Sequence, residues 1–140
     1  MKTKRFIGFC LGLLFFGATF VFSQSKIIQS FKMRCTSLII NGQQYSQNVR
    51  EVGVYIFNDN KTVIQFVFHN GTETNYHFTN QRNTGNSNQF ESDIDITSGG
   101  QRYSGYKSVS SESPGIMVIS IYEGRVSAAT KFAEFTLHSN

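Results

Sequence analysis

Three sets of side chains in this sequence are of types that do chemistry. They are the histidines His69, His77 and His138, the cysteine Cys35, and the carboxylate row Glu91, Asp93 and Asp95. Histidines bind zinc or move protons near neutral pH. A thiolate attacks carbonyls or ligates metals. Closely placed carboxylates hold Ca²⁺ or hydrolyse glycosides. Spacing decides which of these chemistries is available.

His69 and His77 lie in "FVFHNGTETNYHFTN", Phe66 to Asn80, a stretch with the pattern of two strands folded back on each other. A three-residue loop, His69-Asn70-Gly71, puts His69 at the hairpin tip and His77 opposite Val63. At about 3.3 Å per residue the two rings are then more than about 10 Å apart, too far to share a metal. No His-x-His or Cys-x-x-Cys pair supplies further ligands, so no metal site is expected. Cys35 sits in "KMRCTSLII", in phase with Phe31, Met33 and Ile39, and reads as a small buried apolar group. Glu91, Asp93 and Asp95 recur on alternate residues of one strand, roughly 6.6 Å apart, whereas Ca²⁺ takes oxygens that converge from a loop. Arg102 and Tyr106 on the next strand make them part of a solvated polar face with a cross-strand ion pair. No glycine-rich phosphate loop opens a helix. The reading is of a non-enzymatic protein with no catalytic residues and no cofactor.

The elements that position these residues begin after a leader. "MKTKRFIGFCLGLLFFGATFVFSQ" has a basic start (Lys2, Lys4, Arg5), an uncharged apolar run and small residues at Val21 and Ser23. This is the pattern of a cleavable signal peptide spanning 1–23, with cleavage between Ser23 and Gln24 and a secreted or periplasmic destination. Bulky Phe9 before Cys10 argues against lipid attachment there. Three of the thirteen basic side chains fall in the leader, leaving ten against nine acidic ones. Nothing in that near-neutral balance steers nucleic acid or an anionic membrane, and the mature chain has no apolar run long enough to span one. Cys35 alone remains after cleavage, so the domain is expected to stand without an intramolecular disulfide, which points towards bacterial export.

The mature chain, 24–140, reads as a single all-β domain. Short runs of Ile, Val, Phe, Tyr and Thr alternate with clusters of Asn, Gly, Ser and Asp, and no 3.6-residue apolar period is sustained. Strands are predicted near 27–40, 52–58, 61–69, 72–79, 89–97, 101–109, 115–123 and 129–137. Most connectors are short enough to join antiparallel neighbours. The expected fold is an antiparallel up-and-down meander of about eight strands closing into a small barrel or barrel-like sandwich, because closure shelters the edges.

Register follows from matching faces. The loop at His69-Asn70-Gly71 pairs Phe66 with Thr74 and Ile64 with Tyr76, with Gly71 at a left-handed position. A two-residue Asp59-Asn60 turn would pair Tyr55 with Ile64 and Phe57 with Thr62. A Gly99-Gly100 turn pairs Ile96 with Tyr103 and Ile94 with Gly105. The shared face is then Tyr55, Phe57, Ile64, Phe66, Phe68, Tyr76, Phe78, Phe90, Ile94, Ile96 and Tyr103. Two strands, "EVGVYIFN" and "GIMVISIY", are apolar on both faces and imply either a second covering layer or an exposed patch.

An eight-stranded barrel is just wide enough to fill with side chains or to hold one small ligand. The expected function is a secreted binding protein holding a small hydrophobic molecule, lined by Tyr55, Phe57, Ile64, Phe66, Phe68, Tyr76, Phe78, Phe90, Ile94 and Tyr103. The alternative is a protein-interaction module, a surface accessory subunit or secreted inhibitor, acting through an exposed apolar strand face. A cavity of a few hundred Å³ favours the first and a solid core with an exposed patch the second.

Overall fold

The computed structural model describes residues 25–140. The leader, its cleavage point after Ser23 and Cys10 lie outside the described residues. Nine strands follow: β1 (Ile27–Ile40), β2 (Gln43–Gln44), β3 (Val49–Phe57), β4 (Thr62–Phe68), β5 (Glu73–Asn83), β6 (Gln89–Ser98), β7 (Gln101–Ser113), β8 (Ile116–Glu123) and β9 (Lys131–Ser139). Each long strand pairs antiparallel with its neighbour in the chain, and β1 also pairs with β9. The result is the expected meander, closed as an eight-stranded barrel, with β2 as a short extra strand.

Closure depends on β1 serving two neighbours in succession. Its first half, Ile27 to Met33, pairs with β3, and its second half, Met33 to Ile40, pairs with β9. A bulge between Cys35 and Ser37 reverses the alternation. Met33 and Cys35 face inward before the bulge, while Leu38 and Ile40 do so after it. Ile39 is thereby turned outward, out of phase with Cys35.

The His69-Asn70-Gly71 loop is as the faces required. The Phe68 N–H donates to the Thr72 carbonyl (2.9 Å), Gly71 takes φ +89°, and Ile64 pairs with Tyr76 and Phe66 with Thr74. The Gly99-Gly100 turn also stands, with both glycines at positive φ and Ile96 opposite Tyr103.

The hairpin between β3 and β4 differs by one residue. Phe57 donates its N–H to the Lys61 carbonyl (2.9 Å), and Asn60 takes φ +66°. The loop is therefore Asn58-Asp59-Asn60, with asparagine in the left-handed position that glycine fills in the next hairpin. The pairs become Val52–Phe66, Val54–Ile64 and Ile56–Thr62. One residue of slip exchanges the two faces. Val52 and Val54 are buried in the barrel, while Tyr55 and Phe57 turn outward, contrary to the expected lining. Tyr55 lies over Gly53, close enough that a β-carbon there would come within 2.8 Å of its hydroxyl. A bare backbone at Gly53 thus seats the outward ring.

A second slip occurs in β7. Gly105, at φ +90°, forms a bulge, so Ile94 pairs with Tyr106 rather than with Gly105. Tyr106 is turned inward against Phe132, ring centres 5.5 Å apart, and does not join the outer polar face. No second layer covers the barrel among the described residues; the outer apolar residues of β3 and β8 remain partly exposed.

Candidate functional site: a cup at one end of the barrel

The middle of the barrel is solid. Phe66, Tyr76 and Phe135 meet there with ring centres 4.9 to 5.5 Å apart, and Leu38, Val52, Ile121 and Leu137 fill around them. Two of the pairs are edge-to-face, the arrangement that ring quadrupoles favour. Burial pushes the Tyr76 hydroxyl well above its usual pKa. From this centre the barrel runs to two unlike ends.

One end is closed by its own loops. The segment between β1 and β3 folds back through a turn at Asn41-Gly42, and Tyr45 packs on the core. The Tyr45 N–H donates to the Leu38 carbonyl (2.7 Å), and the His69 N–H donates to Asn48 (3.0 Å). These bonds continue the β1–β2 and β3–β4 pairings into the connecting segments, where Tyr45 and Phe68 pack on the core.

The opposite end, bounded by the β3–β4, β5–β6 and β7–β8 connections, holds a half-open cup of about 870 Å³. Its apolar wall comprises Val54 and Ile56 from β3, Ile64 from β4 and Phe78 from β5, with Met117 and Ile119 from β8 and the partly exposed Phe31 from β1. Ser92 of β6 and Ser110 of β7 interrupt that lining with hydroxyls. The rim is charged and polar, with Asp59, Lys61, Asn80 and Glu112. Asn80, at φ +54°, lies in a bulge of β5 that breaks its pairing with β6 between Thr79 and Arg82. Bulges bend the strand that carries them, here at the mouth.

The expected lining residues therefore separate into four groups. Ile64 and Phe78 border the cup. Phe66, Tyr76, Ile94 and, partly buried, Phe68 belong to the solid interior. Phe90 is half-buried on the inward side of β6 near the mouth, without bordering the cup. Tyr55 and Phe57 face out, and Tyr103 is 44% exposed at the Gly99-Gly100 tip, its hydroxyl donating to Gln101 (2.8 Å). The wall residues of the cup that the sequence reading missed are Phe31, Val54, Ile56, Met117, Ile119, Ser92 and Ser110. Ser92 carried a usable signal, since it sits in phase between Phe90 and Ile94, with Ile96 next on the same face.

The remaining chemistry-bearing groups lie elsewhere. His77 pairs with Val63 on the outside, and its Nε2 lies 3.1 Å from the Thr97 hydroxyl. Partial burial, aided by nearby Arg102, lowers its pKa. The carboxylate row is paired throughout, Glu91 and Asp93 with Arg82 (both 3.3 Å), Asp93 with Lys107 (2.7 Å), and Asp95 with Arg102. The Lys107 ammonium, seconded by Asn80, holds the Asp93 carboxyl down to about 2. Cys35 lines an open, polar groove of about 510 Å³ where β1 leaves β3. Burial pushes its thiol up to about 11, and Sγ donates to the Ser37 carbonyl (3.3 Å), a setting that disfavours the reactive thiolate. Among the described residues, no three His, Cys, Asp or Glu side chains gather to hold a metal, and no helix is long and apolar enough to cross a membrane.

No family model, curated protein or solved structure matches this chain.

Proposed function

We propose that this is an exported, non-enzymatic binding protein that holds one small hydrophobic molecule in the cup. The supporting observation is the cup itself, about 870 Å³ of half-enclosed space walled by seven apolar side chains and rimmed by charge. That volume falls within the range of small-molecule sites, and burial of an apolar guest stabilises by roughly 25 cal/mol per Å² of surface removed from water. The rigid, aromatic-filled middle gives the cup a preformed floor, which limits the ordering cost of binding. Native mass spectrometry of the protein purified from its own host tests the reading. The expected result is a population carrying one small adduct per chain, absent from a Met117→Trp variant whose indole fills the cup. A bare chain that also fails to take up added naphthalene contradicts it.

A second reading, a protein-interaction module, draws on β1. Among the described residues, Ile27 to Lys32 are paired on one side only, and Ile27, Ile28 and Phe31 are 54, 66 and 39% exposed. An open edge of this kind accepts a strand from another chain. Replacing Ile28 by Lys would abolish such pairing and leave uptake into the cup intact.

A further inference from the structure

The cup has two chemically different walls. The β3–β4–β5 side presents Val54, Ile56 and Ile64. The β6–β7 side presents serines. Ser92 and Ser110 border the cavity, and Ser108 is the direct cross-strand partner of Ser92 on the inward face. Ser92 is 4% exposed and Ser108 0%, and these are the buried polar side chains of the described residues. The Ser108 hydroxyl has no hydrogen-bond partner. Ser108 is closed off from the cavity, whereas the Ser92 side chain, though almost wholly buried, borders it; a hydroxyl desolvated there without a partner is costly, so Ser92 offers a guest its hydrogen bond. All the charges around the cavity, Asp59, Lys61 and Glu112, are confined to the rim.

We propose that the guest of the cup enters with an uncharged hydroxyl or carbonyl group leading, which the Ser92 hydroxyl hydrogen-bonds at the inner end while the apolar body lies against Val54, Ile56 and Ile64. This rests on the cup being the binding site. A serine hydroxyl both donates and accepts, so Ser92 suits an alcohol or a carbonyl equally. An ionic head at that depth would lose its hydration without gaining a counter-charge, and is excluded from the inner end. Small alcohols and carbonyl compounds with an aliphatic or aromatic body form the ligand class. Carboxylates and amines of the same length are disfavoured.

Isothermal titration calorimetry at neutral pH tests this with 1-octanol, octanoate, octylammonium and naphthalene. On the parent protein, octanol is expected to bind at least about tenfold more tightly than either ion. In a Ser92→Ala variant octanol affinity is expected to fall by about fivefold or more, and naphthalene to bind as well as before or better. Retained naphthalene binding shows that the variant is folded with its cup intact. Octanoate or octylammonium matching octanol, or octanol binding untouched by the substitution, overturns the proposal. Failure of naphthalene and octanol alike on the parent protein would instead remove the cup as a binding site, and this inference with it.

Discussion

The two ends of this barrel are made by the same device, a run of antiparallel hairpins, yet one is sealed and the other hollow. At the sealed end, Tyr45, Phe68, Tyr106 and Phe132 add half-buried rings above the central Phe66, Tyr76 and Phe135. At the hollow end, inward positions are taken by Val54, Met117 and the serines of β6 and β7, with Phe78 the one ring on the buried wall. Strand number fixes the width of a barrel, but side-chain volume decides whether that width is used up. Serine in place of an aromatic residue leaves both space and a hydrogen-bonding group, so the hollow is polar on its β6–β7 side.

Substitution can break this contrast. The largest effect is expected in the solid middle. Phe135→Ala, at a side chain with no exposure wedged against Phe66 and Tyr76, should cost about 3–5 kcal/mol in denaturant unfolding. Met117→Ala at the cup, where the side chain is half-buried and the space already open, should cost roughly 1 kcal/mol because less packing is lost. Equal costs would mean that the hollow end is as tightly filled as the middle.

The inner and outer faces of β6 sharpen the same comparison. Asp93 is held down to about 2 against an ordinary 3.8, so its native carboxylate contributes stability that is present above pH 3.8 and lost as pH falls through 2. Water still reaches this network, and Asp93→Asn should therefore cost under about 1 kcal/mol at pH 7. The difference from the parent should disappear near pH 2 in acid-unfolding curves. Gly53→Ala should have the smallest effect. Its β-carbon meets only the outward Tyr55 ring, which can swing into solvent, so the unfolding midpoint should shift by less than about 1 kcal/mol equivalent.

The hairpins show what local sequence can and cannot specify. Between β4 and β5 the face match and Gly71 agreed, and the register could be read directly. Between β3 and β4 the match of aromatic faces pointed the wrong way. Asn60 adopted the left-handed conformation that glycine usually marks, and both faces of β3 are apolar enough to be buried. Volume resolved that ambiguity, since an interior already holding Phe66, Tyr76 and Phe135 takes Val52 and Val54 rather than two more rings. The bulges at Gly105 and after Cys35 were invisible for a similar reason, as the residues beside them are compatible with either face. The cup emerged only when residues from β1, β3, β4, β5, β6, β7 and β8 were brought to one end, a gathering that no local stretch encodes. Ile64 and Phe78 were the cup residues read in advance, and Ser92, in phase between Phe90 and Ile94, was a trace passed over.

Titration of the isotopically labelled protein with naphthalene, followed by methyl nuclear magnetic resonance, tests the division of the barrel most directly. Saturable shifts are predicted at Ile64, Met117 and Ile119, with Leu38, Ala133 and Leu137 unmoved. Shifts at Leu38 and Leu137 as large as those at the cup, or none anywhere, would contradict it.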